Sequence, residues 1–157
     1  TWKDLEHRYV HHNIDMFQIS MLDPTEGTTV TNTGHDLSVM LNRADTLARG
    51  GHADLRKQAG EVLRDAAERF CKEVLVKDRW AKGETSAALS DYDGKTLEAL
   101  GPLVEPLLTA DPSHPGKLRS ARGNLNPAKH DDGIPNKGTL KVAGGDLRTL
   151  TKQYLAK

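Results

Sequence analysis

The stretch LRKQAGEVLRDAAERFCKEVL, residues 55 to 75, decides the fold because it carries the longest helical pattern in the sequence. Its apolar residues recur at intervals of three and four, which predicts one buried face of an α-helix about 30 Å long. That face comprises Leu55, Ala59, Val62, Leu63, Ala66, Phe70 and Val74. Arg64 and Glu68 lie on the opposite face. Since Cys71 and Leu75 share this second face, we expect a further helix or a cleft to cover it.

Helical patterns lie on both sides of this long segment. The preceding pattern ends at Gly50-Gly51, as a C-terminal cap would end it, and comprises Leu37, Met40, Leu41, Ala44, Leu47 and Ala48. After a polar loop over residues 80–94, Thr96 is placed to cap a third helix that is bent near Gly101-Pro102. The apolar residues of this third helix are Leu97, Leu100, Leu103, Val104, Leu107 and Leu108.

The C-terminal third of the sequence has a weaker pattern. A linker over residues 110–116 leads to a short predicted helix from Lys117 to Leu125, and Pro127 ends the helical pattern. Residues 131–145 are rich in glycine and proline and are therefore predicted to be a loop. The final helix is expected to begin near Asp146.

The first 33 residues differ in character from the rest. Ile14 to Leu22 is an apolar run with β-branched residues, Asp23-Pro24 and Gly27 are typical of a turn, and TTVTNT follows. This order predicts strand, turn and strand. We therefore predict a mainly α protein, in which an antiparallel helical bundle over residues 34–157 follows a short β-hairpin stub over residues 1–33.

The composition excludes several classes of function. Lys and Arg number 22, as do Asp and Glu, so binding to nucleic acid would need a local basic patch. The single cysteine, Cys71, excludes an internal disulfide and a cysteine-based zinc site, and it indicates a reducing, cytoplasmic compartment. No apolar run is long enough to cross a membrane, and the start has no apolar core of a signal peptide. Because the sequence does not begin with Met, we expect it to be a segment of a longer chain.

Three side chains form the candidate catalytic set. Arg64 and Glu68 have the spacing of an ordinary exposed ion pair, which contributes only about 0.3–0.5 kcal/mol. His130 follows the break at Asn126-Pro127, where an ordinary surface histidine is the simplest interpretation. If the three converge, they suit metal-free cleavage of RNA. The histidine would exchange a proton with the ribose 2′-OH or the leaving oxygen, the arginine would hold the phosphate, and the glutamate would orient a group or take a proton.

Two other patterns are candidates for binding a phosphate backbone or a metal ion. Basic residues cluster before His130 and could guide a phosphate backbone, although a solvated helix face explains them equally well; they are Lys117, Arg119, Arg122 and Lys129. His7, His11 and His12 have an HxxxH spacing, but no glutamate follows the first histidine and no third ligand is evident. We therefore predict no metal site.

The ordered motifs resemble those of a known group. The motif RxxxE at Arg64 and Glu68, followed by LNxxxH ending at His130, is similar to the C-terminal HEPN-like helical domain of bacterial ABC/SMC-like phage-defence ATPases. Relatives of this group are the RloC- and PrrC-type anticodon nucleases. Trp2 and the segment around DPTEG resemble the region that follows the ATPase core in such proteins. The likeness covers roughly residues 1 to 80 and 117 to 155.

The resemblance implies a function and its residues. It implies that Arg64, Glu68 and His130 are catalytic, with Asn126 in support, in an endoribonuclease that acts on tRNA. It also implies that residues 1–33 are the tail of an upstream ATPase domain. The sequence contains no GxxxxGK[ST] motif, so ATP and magnesium are implied only for that upstream domain, and no cofactor is expected in this chain.

The sequence is consistent with three functions. The first is a HEPN-like ribonuclease effector, whose partners are the upstream ATPase domain and RNA. The second is a non-catalytic module of such an ATPase, which serves homodimerisation or partner docking and in which Arg64 and Glu68 lock the long helix to the His130 loop. The third is an unrelated helical domain.

Overall fold

The computed structural model describes residues 17–23, 27–32 and 36–155, and within these ranges the protein is mainly helical. The helices are α1 (Leu37–Arg49), α2 (Ala53–Ala81), α3 (Leu97–Val104), α4 (His114–Asn124) and α5 (Lys137–Tyr154). Short 3-10 turns occur at Leu89–Tyr92, Glu105–Leu107, Pro127–Lys129 and Asp131–Gly133. The helices pack on one another around one apolar core, which confirms the predicted helical bundle.

Two strands precede the helices. Strand β1 (Phe17–Asp23) pairs with β2 (Gly27–Asn32) in antiparallel order, with Ile19 opposite Val30 and an irregularity between Met21 and Asp23. The remaining residues of the predicted stub lie outside the described residues, including Trp2, Pro24 and the histidines at positions 7, 11 and 12. The assignment of residues 1–33 to an upstream ATPase domain stays a prediction.

Helix α2 is the centre of the bundle and packs against α1, α3 and α5. Its 29 residues extend beyond the predicted segment at both ends. The predicted apolar face is largely buried, and Cys71 and Leu75 on the second face are buried as well. The expectation that a further helix covers this second face is confirmed, because Glu68 contacts the first residue of α3. In the described part of the chain, no helix is both long and apolar enough to span a membrane.

Helix α5 is the largest departure from the predicted secondary structure. The segment 131–145 was predicted to be a loop, but α5 begins at Lys137, where the Asn136 side chain accepts a hydrogen bond from the backbone N–H of Thr139 at 2.8 Å. The helix forms despite its glycines because Leu140 and Leu147 are buried in the core. Tertiary packing thus overrides the low helix propensity of glycine.

The segment before Pro127 departs from the prediction in smaller ways. Helix α4 begins at His114, three residues before the predicted start, and His114 is buried with Nδ1 2.8 Å from the hydroxyl of Tyr154. In α3, Leu103 is exposed although the pattern placed it on the apolar face. Pro102 lies inside α3, and the helix ends two residues later at Val104, where the 3-10 turn Glu105–Leu107 begins.

Candidate functional site

A cleft of about 260 Å³ lies between α2 and the segment that joins α4 to α5. Arg64 and His130 both line it, so the fold brings together two of the three predicted catalytic residues. Glu68 is not among the lining residues. The α2 wall comprises Lys57, Gly60, Glu61 and Arg64, and the opposite wall comprises Leu125, Pro127, His130, Asp132, Gly133 and Pro135.

The opposite wall lies close to α2 because Gly60 has no side chain. A Cβ atom at Gly60 would lie 3.0 Å from Cγ of Pro135, which is closer than carbon atoms normally approach. Asp132 and Gly133 both have left-handed backbone conformations, with φ values of 54° and 71°, and reverse the chain between His130 and Pro135. This close approach and the reversal place the two walls face to face.

His130 is half-buried and its ring is held by the backbone. Nε2 lies 2.5 Å from the carbonyl oxygen of Asn124. Since a carbonyl oxygen only accepts, Nε2 must carry the proton, and Nδ1 is the nitrogen that can exchange one with a ligand. The neighbouring Asn126 accepts a hydrogen bond from the N–H of Ala128 at 3.0 Å and so caps the 3-10 turn that leads to His130.

Arg64 and Glu68 form only a loose ion pair. Nε of Arg64 lies 3.8 Å from Oε1 of Glu68, which is beyond hydrogen-bond distance, and the side chains are 32% and 24% exposed. Arg64 donates no hydrogen bond to any residue of the range 36–155. Its guanidinium group is therefore available to bind a phosphate with two parallel hydrogen bonds.

Glu68 has a different partner. Its Oε1 accepts a hydrogen bond of 3.0 Å from the backbone N–H of Leu97, the first residue of α3. Thr96, the predicted cap of this helix, makes no capping hydrogen bond with its side chain. The carboxylate of Glu68 thus satisfies a free N–H at the N-terminus of α3 and stabilises the helix dipole. Glu68 thus lies beside Arg64 but is not among the residues that line the cleft, and its catalytic role stays a prediction.

The predicted binding residues are not among those that line the cleft. Arg119 and Arg122 pair with Glu105 at 3.1 and 3.4 Å, and Arg122 also lies 3.5 Å from Glu98. Arg119, Arg122, Asn126 and Lys129 are all absent from the lining of the cleft. The basic cluster that the sequence indicated is therefore largely neutralised by the acidic residues of neighbouring elements.

Three charged residues of the cleft were missed by the sequence analysis. Lys57 and Glu61 lie on the α2 wall with Arg64, and Asp132 lies on the opposite wall. The available signal was helical spacing, because Lys57, Glu61 and Arg64 are separated by four and three residues and share one face. Asp132 carried no such signal, since its place depends on the left-handed turn.

Neither a metal-binding group nor a match to a known protein adds a residue to the candidate site. Within residues 36–155, no three side chains of His, Cys, Asp or Glu are grouped closely enough to hold a metal ion, and His7, His11 and His12 lie outside the described residues. Comparisons with protein-family models, curated proteins and solved structures each found no match. The resemblance to HEPN-like domains therefore rests on the sequence motifs alone.

Proposed function

We propose that this domain is a HEPN-like, metal-independent endoribonuclease that acts on tRNA. In this proposal it is the C-terminal effector of a cytoplasmic bacterial phage-defence ATPase, to whose upstream domain it is attached. The observation that supports it best is the shared cleft, which both Arg64 and His130 line.

The cleft offers the two kinds of group that RNA cleavage needs. Arg64 would hold the non-bridging oxygens of the phosphate, and Lys57 adds a second positive charge on the same wall. His130 would exchange a proton through Nδ1 with the ribose 2′-oxygen or the leaving 5′-oxygen. Attack by the 2′-oxygen on phosphorus would give a 2′,3′-cyclic phosphate and a 5′-hydroxyl, without consuming water.

The experiment that tests the proposal is cleavage of tRNA by the purified chain and by His130→Ala. We expect this substitution to lower the rate by at least about 100-fold, because general acid–base groups contribute about 10²- to 10⁴-fold. His52→Ala is a matched control, since His52 is exposed at the N-terminus of α2 and does not line the cleft. Cleavage that survives His130→Ala, or products with a 5′-phosphate, would contradict the proposal.

A second candidate function is a non-catalytic module for dimerisation or partner docking. The observation that favours it is the bond between Glu68 and Leu97, because this bond gives the RxxxE motif a structural role. Leu103 and Val142 are also large apolar residues that are exposed on the helices. Light scattering tests this candidate, since a strict monomer that binds no upstream domain would contradict it.

A further inference from the structure

Helix α2 carries a carboxylate on either side of Arg64. Glu61 lies three residues before it and Glu68 four residues after it. At these spacings the Cβ atoms on a helix are about 5–6 Å apart, so both glutamates are neighbours of Arg64. Only Glu61 lines the cleft that Arg64 and His130 share.

The two carboxylates differ in their partners. Glu68 is held by the backbone N–H of Leu97 at 3.0 Å. Glu61 is exposed, and its side chain forms no hydrogen bond or ion pair with any residue of the range 36–155. Of the two, Glu61 is therefore the carboxylate with oxygens available to a ligand in the cleft.

The proposed cleavage needs two proton-transfer groups on opposite sides of the phosphorus. The attacking 2′-oxygen loses a proton while the leaving 5′-oxygen gains one, and the two oxygens lie roughly in line through the phosphorus. His130 and Glu61 line the cleft from two different elements, the segment that joins α4 to α5 and helix α2, so Glu61 can supply the second group. Asp132 is the weaker candidate because it belongs to the same segment as His130, two residues further along the chain.

We propose that Glu61 is the general base of this cleft and that His130 is the general acid. This inference rests on the proposed function. The carboxylate of Glu61 takes the proton of the 2′-hydroxyl as the bond from the 2′-oxygen to phosphorus forms. The bond from phosphorus to the 5′-oxygen breaks, and the imidazolium of His130 gives the proton on Nδ1 to that oxygen. The products are isomeric with the substrate strand, so no further reactant is needed.

The test compares Glu61→Gln with Glu73→Gln in the full chain. Glu73→Gln removes the same charge from α2, but Glu73 pairs with Arg69 at 2.5 Å and lies outside the cleft. We expect Glu61→Gln to lower cleavage of tRNA by at least about 100-fold and Glu73→Gln to leave it unchanged.

A binding measurement separates catalysis from affinity and folding. A 2′-O-methyl RNA has no 2′-proton to lose and is not cleaved by this route. Glu61→Gln should bind it within about twofold of the unsubstituted chain, because only the proton transfer is removed. The melting temperature should also stay unchanged, since Glu61 has no protein partner in the range 36–155.

The outcomes distinguish the two proposals. If Glu61→Gln cleaves at the original rate while His130→Ala does not, the role of Glu61 is wrong and the proposed function stands. The role is also wrong if Glu61→Gln loses affinity in proportion to rate, or if Asp132→Asn lowers cleavage as much as Glu61→Gln does. If cleavage does not depend on His130, the proposed function fails and the role of Glu61 fails with it.

Discussion

Arg64 and Arg122 are both helical arginines with acidic neighbours, but their surroundings differ. Arg122 is only 20% exposed, it lies within 3.5 Å of both Glu98 and Glu105, and it passes over Gly101 so closely that a Cβ there would lie 2.5 Å from Nη1. Arg64 has one carboxylate neighbour at 3.8 Å. The comparison teaches that charge clustering in a sequence does not identify a binding residue. What identifies it is whether the fold leaves the charge without a close partner.

The largest effect that we expect comes from Arg64→Ala. Cleavage of tRNA should fall by about 100-fold or more, because a preorganised donor to the transition-state phosphate is lost. The melting temperature should change little, since Arg64 forms no hydrogen bond with residues 36–155. Arg64→Lys should give an intermediate rate because lysine keeps the charge and lacks the planar fork. A fall in stability as large as that of Arg122→Ala would show that Arg64 is held by the fold as Arg122 is.

Arg122→Ala should show the opposite behaviour. We expect the free energy of unfolding to fall by about 2 kcal/mol, because two carboxylates lose a partly buried partner. Urea denaturation measures this change. Cleavage by the folded variant should be affected far less than by Arg64→Ala. If Arg122→Ala is as stable as the unsubstituted chain, the ion pairs of Arg122 do not stabilise the fold.

Glu68→Ala extends the comparison to the carboxylates. It should lower the free energy of unfolding by about 1 kcal/mol, as loss of a helix cap does, because the N–H of Leu97 loses its acceptor. Glu68→Gln should cost less, since its amide oxygen still accepts this bond. The same urea measurements apply. A large loss of cleavage in Glu68→Gln with unchanged stability would return Glu68 to the catalytic set.

The smallest effect concerns Cys71, which is buried in the core. Burial, followed by the charge of Glu68, raises the pKa of this thiol from 9.0 to about 12. An unfolded chain loses the proton near pH 9 while the folded chain keeps it, so stability falls as the pH rises above 9. By pH 9.5 this contributes a loss of about 0.8 kcal/mol. Cys71→Ala, measured at pH 7 and 9.5, should lack this part of the pH dependence.

The sequence was sufficient where local periodicity and burial agree. The stripe from Leu37 to Ala48 predicted α1, and the pattern around Phe70 predicted the buried face of α2. It was insufficient for the start of α5, because the packing of Leu140 and Leu147 against the core outweighs glycines that indicate a loop. Hydrophobic periodicity predicts which face of a helix is buried, but it does not predict which element covers that face.

The candidate site was predicted in part for the same reason. Arg64 and His130 were named from their motifs, and the fold places both in one cleft. The structural role of Glu68 could not be predicted, because its partner, the N–H of Leu97, is 29 residues away and belongs to the backbone. Neither side-chain type nor spacing encodes such a bond. Glu61 lies three residues before Arg64 and Glu68 four residues after it, so both are helical neighbours of Arg64, and only the tertiary fold distinguishes the two.

The close approach of Pro135 to Gly60 sets helix propensity at position 60 against the space available there. Alanine in the middle of a helix is more stable than glycine by about 1 kcal/mol, so a conventional stabilising substitution would place alanine at position 60. Its methyl group would stand 3.0 Å from the proline ring and push it outwards. A more thermostable α2 would then have a wider cleft beside it, so at this residue the stability of the helix and the close approach of Pro135 are opposed.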